Sequence, residues 1–163
     1  MAIVESPARN CYKVGVISDT HGLMRRQVLK VLEGSDLILH AGDVGSQDVL
    51  DALERIAPVF AVRGNMDGGE WAQGLPKTEW VEVGEFAIYI LHDLEKLDLV
   101  PQAAGVSMVV SGHTHQPKED FRGGVCYLNP GSAGPRRFSK PVSLAVVEVE
   151  GNAMKVNLIP LDA

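Results

Sequence analysis

The first half of the chain alternates short apolar runs with segments of helical periodicity, and this alternation restricts the possible folds more than any other feature. The apolar runs cover residues 13–18, 36–40 and 59–62, and helical patterns fill residues 24–32 and 49–56 between them. Runs that are almost continuously apolar are typical of strands buried on both faces. The pattern therefore predicts an α/β fold in which helices cover a parallel sheet.

The second half carries the signals of antiparallel hairpins. Gly84-Glu85 and Gly151-Asn152 each separate two strand-like runs, and glycine and asparagine supply the turn conformations that join neighbouring strands. Pro101 interrupts a further helical pattern. The predicted elements are strands at residues 78–83, 86–91, 107–110, 125–128, 142–149 and 154–159 and a short helix within residues 94–104.

Composition limits the classes of protein that remain. With 163 residues the chain fits one domain, residues 1–163, and we expect residues 1–10 to be a flexible leader. The apolar runs are shorter than the roughly 20 residues that cross a bilayer, and Cys11 and Cys126 lack the spacing of a disulfide framework. The net charge of -6 opposes binding to nucleic acid or anionic membranes. We expect a soluble, cytoplasmic protein.

Seven polar side chains follow the apolar runs at the places where strands should end. They are Asp19, His21, Asp43, Asn65, His92, His113 and His115. Ligands of open α/β sheets gather beyond the carboxyl ends of the strands, so we expect these side chains to converge. Oxygen and imidazole donors without a thiolate suit divalent Mn, Fe, Ni, Co or Zn.

The number of donors predicts two metal ions. Seven donors are too many for one ion and suit two ions that share one carboxylate. Two divalent ions and two carboxylates leave a charge of about +2, which attracts a phosphate oxygen and lowers the pKa of a bridging water. We expect two divalent cofactor ions, with manganese as the first choice and Fe, Ni, Co or Zn as alternatives.

In this order, the motifs resemble those of a known family. They are Asp19-x-His21, Gly42-Asp43, Gly64-Asn65-x-Asp67, the isolated His92, Gly112-His113-Thr114-His115 and Asn129-Pro130-Gly131-Ser132. The chain resembles the calcineurin-like metallophosphoesterases, in particular the small single-domain branch related to bacterial and archaeal phosphodiesterases. The resemblance implies a four-layer αββα sandwich of two mixed sheets, with the metals at one edge.

The resemblance also implies how the ligands divide. One ion would be held by Asp19, His21, Asp43 and His115, and the other by Asp43, Asn65, His92 and His113. Asp43 would bridge the ions, and Asp43, Asn65 and His92 are the expected catalytic residues. His113 and His115 would then form a fork, with one imidazole directed to each ion.

Two positions depart from the family pattern. Many phosphatases of the family have a histidine where this chain has Met66, and a thioether cannot donate a proton to a leaving group. Substrates whose leaving groups need little protonation should therefore be favoured. Asp93 stands where many relatives have glycine; we predict that it caps the following helix, and a role beside a metal ligand stays open.

Several residues keep two interpretations. Arg63 and Arg136 are candidates to bind the substrate phosphate, as is Arg137, because guanidinium matches two phosphate oxygens; the alternative is a solvated arginine. His40 either orients a ligand or packs in the core, and the Asn129 motif either borders the site or is a structural turn. We expect residues 68–77 to be a surface loop with Trp71 in the core; a lid and a self-association contact are the alternatives.

These observations predict a phosphoesterase, most simply a phosphodiesterase, that uses a hydroxide bridging two metals to hydrolyse a small phosphate ester. The alternatives are a scaffold protein of the same fold, like the retromer subunit of this family, and a one-metal hydrolase. A homo-oligomer, dimer or tetramer, is compatible with the sequence.

Overall fold

The computed structural model describes residues 2–4, 11–137 and 139–161. The strands are β1 (Ala2–Val4), β2 (Cys11–Ile17), β3 (Leu37–His40), β4 (Val59–Ala61), β5 (Thr78–Val83), β6 (Phe86–Leu91), β7 (Met108–Val110), β8 (Lys118–Arg122), β9 (Val125–Asn129), β10 (Val142–Glu150) and β11 (Ala153–Leu161). The helices are α1 (Arg26–Leu32), α2 (Gln47–Glu54) and α3 (Pro101–Ala104), with 3-10 turns at Glu70–Ala72 and Leu94–Lys96.

The strands form two mixed sheets. One has five strands in the order β11-β10-β2-β3-β4, and the other has six in the order β1-β5-β6-β7-β9-β8. The β2-β3-β4 pairs are parallel, as the alternation with helices predicts. Both predicted hairpins, β5-β6 and β10-β11, are antiparallel. Because β2 pairs with β10 and β6 pairs with β7, each sheet combines both directions.

Alternation along the strands creates four layers. Leu37 and Leu39 of β3 point into the cluster between the two sheets, whereas Ile38 points to the cluster beneath α1 and α2. On the other sheet, Met108 of β7 joins the central cluster, and Val109 packs under the segment that follows β6. Successive strand residues face opposite sides, so each buried strand fills two interfaces. This is the αββα sandwich that the motifs implied.

The predicted helix within residues 94–104 is two separate pieces. A 3-10 turn at Leu94–Lys96 ends before Leu97, and α3 starts at Pro101. Proline lacks an N–H and disfavours a helical conformation at the residue before it, which explains the break at Val100. Gly105 ends α3 in the left-handed conformation at φ 81.

Two strands were not predicted. β8 is an edge strand whose side chains are mostly exposed, so it lacks the apolar run that marks the buried strands. Residues 2–4 pair in parallel with β5, so the flexible leader predicted for residues 1–10 is wrong at these positions; residues 5–10 lie outside the described residues. No helix in the described parts of the chain has the length and apolar character that a bilayer crossing requires.

The connection at residues 68–77 is a surface loop, as predicted. Its 3-10 turn places Trp71 against the apolar cluster beneath α1 and α2. The loop leads into Lys77, which lines a cleft at the edge of the sheets. The loop therefore links the helical layer to the site described below.

Candidate metal centre

The loops that follow the strands have an unusual backbone at this edge. Among the described residues, five non-glycine positions have positive φ angles, and all five belong to the predicted ligand set. They are Asp19 (φ 55), His21 (φ 47), Asp43 (φ 53), His113 (φ 72) and His115 (φ 62). Left-handed conformations are uncommon for such residues and persist where the surrounding structure enforces them, which is frequent at functional sites.

Asp19, His21 and His115 form a cluster of two buried side chains and the partly exposed His21, which we name the inner group. The Oδ1 atom of Asp19 lies 3.3 Å from Nε2 of His115 and 3.8 Å from Nε2 of His21. The two imidazole Nε2 atoms are 3.4 Å apart. Asp19 is fully buried and His115 is 5% exposed. The inner group therefore brings three potential ligand atoms to one enclosed point.

Asn65, His92 and His113 form a second cluster, the outer group. Nε2 of His92 lies 2.8 Å from Oδ1 of Asn65, and Nδ1 of His113 lies 3.2 Å from the same oxygen. The two imidazole nitrogens are 3.3 Å apart. His92 is buried, whereas Asn65 and His113 are exposed. The structure thus directs His113 and His115 to different clusters.

Asp43 lies between the two groups. Its Oδ2 atom is 3.3 Å from Nε2 of His92 and 3.8 Å from Nε2 of His21. Asp43 therefore reaches both groups through one oxygen. This is the position that a shared ligand requires.

Each carboxylate is held by one oxygen and presents the other. Oδ2 of Asp19 accepts hydrogen bonds from the Ser18 hydroxyl (2.6 Å) and the His113 backbone N–H (3.1 Å). Oδ1 of Asp43 accepts a hydrogen bond from the Met66 N–H (2.8 Å). The remaining oxygens face imidazole nitrogens, and the buried Oδ1 of Asp19 accepts no hydrogen bond from the described residues. A buried acceptor without a donor is costly, and a cation would satisfy it.

The electrostatics keep both carboxylates ionised. Burial alone would raise the pKa of Asp19, but its contacts with His115 and Ser18 outweigh burial and lower the pKa. Burial also opposes ionisation of Asp43, yet His92 and the Met66 N–H lower its pKa. The pKa of His21 is lowered by burial, which exceeds the attraction of Asp43 and Asp19. Two ionised carboxylates beside imidazoles that face each other provide a site for cations.

His92 shows how an imidazole is oriented here. Its Nδ1 lies 2.8 Å from the Ala41 carbonyl, so Nδ1 must carry the proton and Nε2 is left facing Asn65 and Asp43. Metal-binding histidines commonly donate their second nitrogen in this way. Burial opposes protonation of His92, but the hydrogen bond to Asp43 raises its pKa overall.

His40 is not part of either group. Its Nδ1 accepts a hydrogen bond from the Gly42 N–H (3.1 Å), so the proton of the neutral ring is on Nε2, which donates to the Thr20 hydroxyl (3.0 Å). The Thr20 hydroxyl in turn donates to the Val44 carbonyl (2.7 Å). Complete burial lowers the pKa of His40 to about 4, so the ring is neutral. His40 therefore ties the loop of Asp19 to the loop of Asp43 without reaching the centre.

Other loop residues brace the ligands. Asp67 accepts hydrogen bonds from the N–H groups of Val44, Gly45 and Gly64, so it joins the loops after β3 and β4. Asn129 donates to the carbonyl of Gly112 and to the Thr114 hydroxyl. The Ser132 hydroxyl donates to the carbonyl of Asp19. The Asn129 motif thus supports the histidine loop and does not itself face the centre.

Two glycines allow the loops to approach closely. A Cβ atom at Gly112 would overlap Oγ of Ser18 and lie 2.6 Å from Oδ2 of Asp19. A Cβ atom at Gly64 would overlap the backbone nitrogen and Oδ1 of Asp43. The sequence indicated these glycines as motif positions, but it did not indicate Ser18 or the Met66 N–H, because a hydroxyl and a backbone group carry no spacing signal.

A cleft of about 510 Å³ opens beside the outer group and is lined by Arg63. The Arg63 Nε donates to the carbonyl of Asp67 (3.2 Å), which orients its guanidinium.

Arg136 is exposed, and none of the described contacts joins it to the centre. Arg137 does influence the centre, because burial lowers the pKa of His21 and the positive charge of Arg137 lowers it further. Met66 is 67% exposed, and Asp93 caps the 3-10 turn by accepting from the Glu95 N–H.

The chain is similar to known phosphoesterases. Residues 12–152 match the calcineurin-like phosphoesterase superfamily domain. A probable metallophosphoesterase from Methanocaldococcus jannaschii is 36% identical over 163 aligned residues, covering 91% of this chain and 81% of that protein. A phosphodiesterase from the same organism is 26% identical over 137 residues, covering 73% of this chain and 82% of that protein.

The fold is also found in solved structures. Vps29 from Chaetomium thermophilum superposes with a TM-score of 0.80 at 20% identity, covering 93% of this chain and 89% of that one. At this identity the similarity establishes the architecture alone. The domain match spans most of the chain, and the 36% identical relative covers nearly all of it. The chain therefore belongs to the calcineurin-like phosphoesterase superfamily.

Proposed function

We propose that this metal-dependent phosphoesterase is a phosphodiesterase that uses two divalent ions, with manganese as the preferred metal. The position of Asp43 carries the proposal, because one of its oxygens lies within 3.8 Å of imidazoles from both groups. The inner and outer groups each add nitrogen and oxygen donors of the kind that Mn, Fe or Zn accept. The 26% identical relative is described as a phosphodiesterase, which favours a diester substrate.

The chain's own residues would prepare the reaction. Bound divalent ions would supply positive charge for the phosphoryl oxygens and lower the pKa of a water molecule. Asp19, His21 and His115 would hold one ion in the enclosed part of the centre, while Asn65, His92 and His113 would hold the other beside the cleft. Arg63 lies where its guanidinium can bind a phosphoryl oxygen, since Asp67 fixes its orientation through Nε.

Met66 shapes the choice of substrate. Its backbone N–H orients Asp43, but its side chain is exposed and has no proton to donate. Esters with good leaving groups should therefore react fastest. A scaffold protein of this fold would not need a complete set of metal ligands. All seven predicted side chains lie at this edge of the sheets, which favours an enzyme.

The test uses the purified chain with Mn(II) and bis(4-nitrophenyl) phosphate. Asp43→Asn and His115→Ala should each lower turnover by about a thousandfold, as expected when a metal ligand that contributes to transition-state charge stabilisation is removed. Asp48→Asn, an exposed position on α2, is the matched control and should retain activity. Metal analysis should show fewer ions per chain in the two site variants.

Equal turnover by the wild type, Asp43→Asn and His115→Ala would contradict the proposal. A full complement of metal in all three proteins without any turnover would instead favour the scaffold alternative.

A further inference from the structure

The cleft beside the outer group contains positive charges that the metal centre does not use. Arg63 follows β4, Lys77 precedes β5, and Lys96 belongs to the 3-10 turn after β6. All three line the same cleft as Asn65 and His113. Three cations from three separate elements therefore meet beside the reaction site in a chain whose net charge is -6.

The cleft is also lined by three carboxylates, each of which accepts hydrogen bonds from groups other than the lysines, and none forms an ion pair with a lysine in the described part of the chain. Asp67 accepts three backbone N–H hydrogen bonds, Asp93 accepts one from Glu95, and Asp98 accepts one from the Tyr89 hydroxyl at 2.6 Å. In the described part of the chain, the ammonium groups of Lys77 and Lys96 have no hydrogen-bond or ion-pair partner. Both side chains are exposed, so they are available to an anion.

A neighbouring groove on the other side of His113 differs in this respect. It is similar in size, about 540 Å³, and also contains basic residues. Its Arg122, however, pairs with Asp120 at 3.0 Å and stacks 4.6 Å from the centroid of the Tyr127 ring. Of these two sites, the cleft beside the outer group is the one that is lined by Asn65 and His92 and by two lysines without a partner among the described residues.

We propose that this cleft is an anion subsite, in which Lys77 and Lys96 bind a phosphoryl or carboxylate group. This second negatively charged group would belong to the same ester whose reacting phosphoryl group lies at the metal centre. The inference rests on the proposed function for the position of the reacting group. Of the three cations, Arg63 is the closest in sequence to Asn65, so it would contact the reacting phosphoryl group. The two lysines would contact the second anion. The substrate class is therefore a phosphate ester with an anionic substituent.

The test measures equilibrium binding to the manganese-loaded full chain by titration calorimetry. The probes are butylphosphonate, 4-phosphonobutyrate and propane-1,3-diylbisphosphonate, which have neutral, carboxylate and phosphonate tails. We expect the charged-tail probes to bind about fivefold more tightly than butylphosphonate, the effect of two exposed ion pairs. The two charged tails distinguish a carboxylate from a phosphoryl preference. The advantage should shrink as ionic strength rises.

Variants assign the preference to the lysines. The double variant Lys77→Ala/Lys96→Ala should lose the advantage of the charged tails, and Lys77→Arg/Lys96→Arg should retain it. Lys118→Ala, an exposed lysine of the neighbouring groove, is the matched control and should also retain it. Bound metal content checks that each variant is folded. Equal affinity of the wild type for all three probes, or a preference that survives in the double alanine variant, would overturn the subsite.

The two proposals fail in different ways. Turnover of bis(4-nitrophenyl) phosphate by the wild type, together with equal affinity for the three probes, would leave the phosphodiesterase standing and refute the subsite. Absence of turnover, together with a preference for charged tails that the double alanine variant loses, would refute the phosphodiesterase and support an anion-binding cleft.

Discussion

The inner and outer groups use similar ligands in opposite environments. Asp19 and His115 are enclosed by the loops that Asn129 and Ser132 brace. Asn65 and His113 are exposed at the mouth of the cleft. The same donor chemistry is therefore enclosed on one side and open to water and substrate on the other. Under the proposed two-metal function, the inner group would retain its ion, while the outer group would present its ion to the substrate.

The physical reason is the cost of leaving a buried charge without a partner. Oδ1 of Asp19 has no hydrogen-bond donor among the described residues, so losing an ion there would leave an ionised, buried oxygen unsatisfied. In the outer group, water can replace a missing ligand because Asn65 and His113 are exposed. Three predictions test this asymmetry.

The largest effect should come from removing one imidazole in each group. His21→Ala should lower kcat/KM for the diester by about a thousandfold, and His113→Ala by about ten- to a hundredfold. The inner variant removes one of the two imidazoles that face the buried Oδ1 of Asp19, whereas the outer variant lets water take the vacated position. Steady-state kinetics with Mn(II), accompanied by metal analysis, measure both effects. Equal losses in the two variants would show that burial does not distinguish the groups.

A smaller effect should follow from filling the space at the loop glycines. Gly112→Ala forces a methyl group against Ser18 and Asp19, and overpacking of this kind lowers the free energy of unfolding by about 1–3 kcal/mol. Gly74→Ala is the matched control, because no atom lies within 4 Å of a Cβ built at that position. Chemical denaturation of the metal-free proteins measures the difference. If Gly112→Ala were as stable as the control, the histidine loop would be free to move away from Asp19.

The smallest effect concerns the order of metal loss. During dialysis against a chelator, the metal content should fall in two phases, with a plateau near half of the initial value and rates that differ by about tenfold or more, because a buried ion exchanges more slowly than an exposed one. In Asn65→Ala the fast phase should disappear, since the outer ion would no longer be bound. Atomic emission measurements against time follow both phases. A single phase in the wild type would argue that the groups lose their ions together.

Much of the architecture and of the site could be predicted from the chain. The apolar runs indicated β2, β3 and β4, and the glycine turns indicated both hairpins, because burial and turn chemistry leave local signals. Exposed strands leave none, and for this reason β8 was missed. The helix expected within residues 94–104 was broken because Pro101 and the packing of Leu97 and Leu99 on the six-stranded sheet override a weak helical pattern.

The sequence by itself determined the set of seven ligand candidates and their order, because strand ends and residue types are local properties. The divergence of His113 and His115 and the shared position of Asp43 were expected only through the family resemblance, and the tertiary structure alone decided that His40 ties two loops together without reaching the centre. It also decided which cations lie beside the site, bringing Lys77 and Lys96 into the cleft with Arg63. The physical reason is that contacts between loops from different strands depend on how two sheets pack, and no single stretch of sequence encodes that packing.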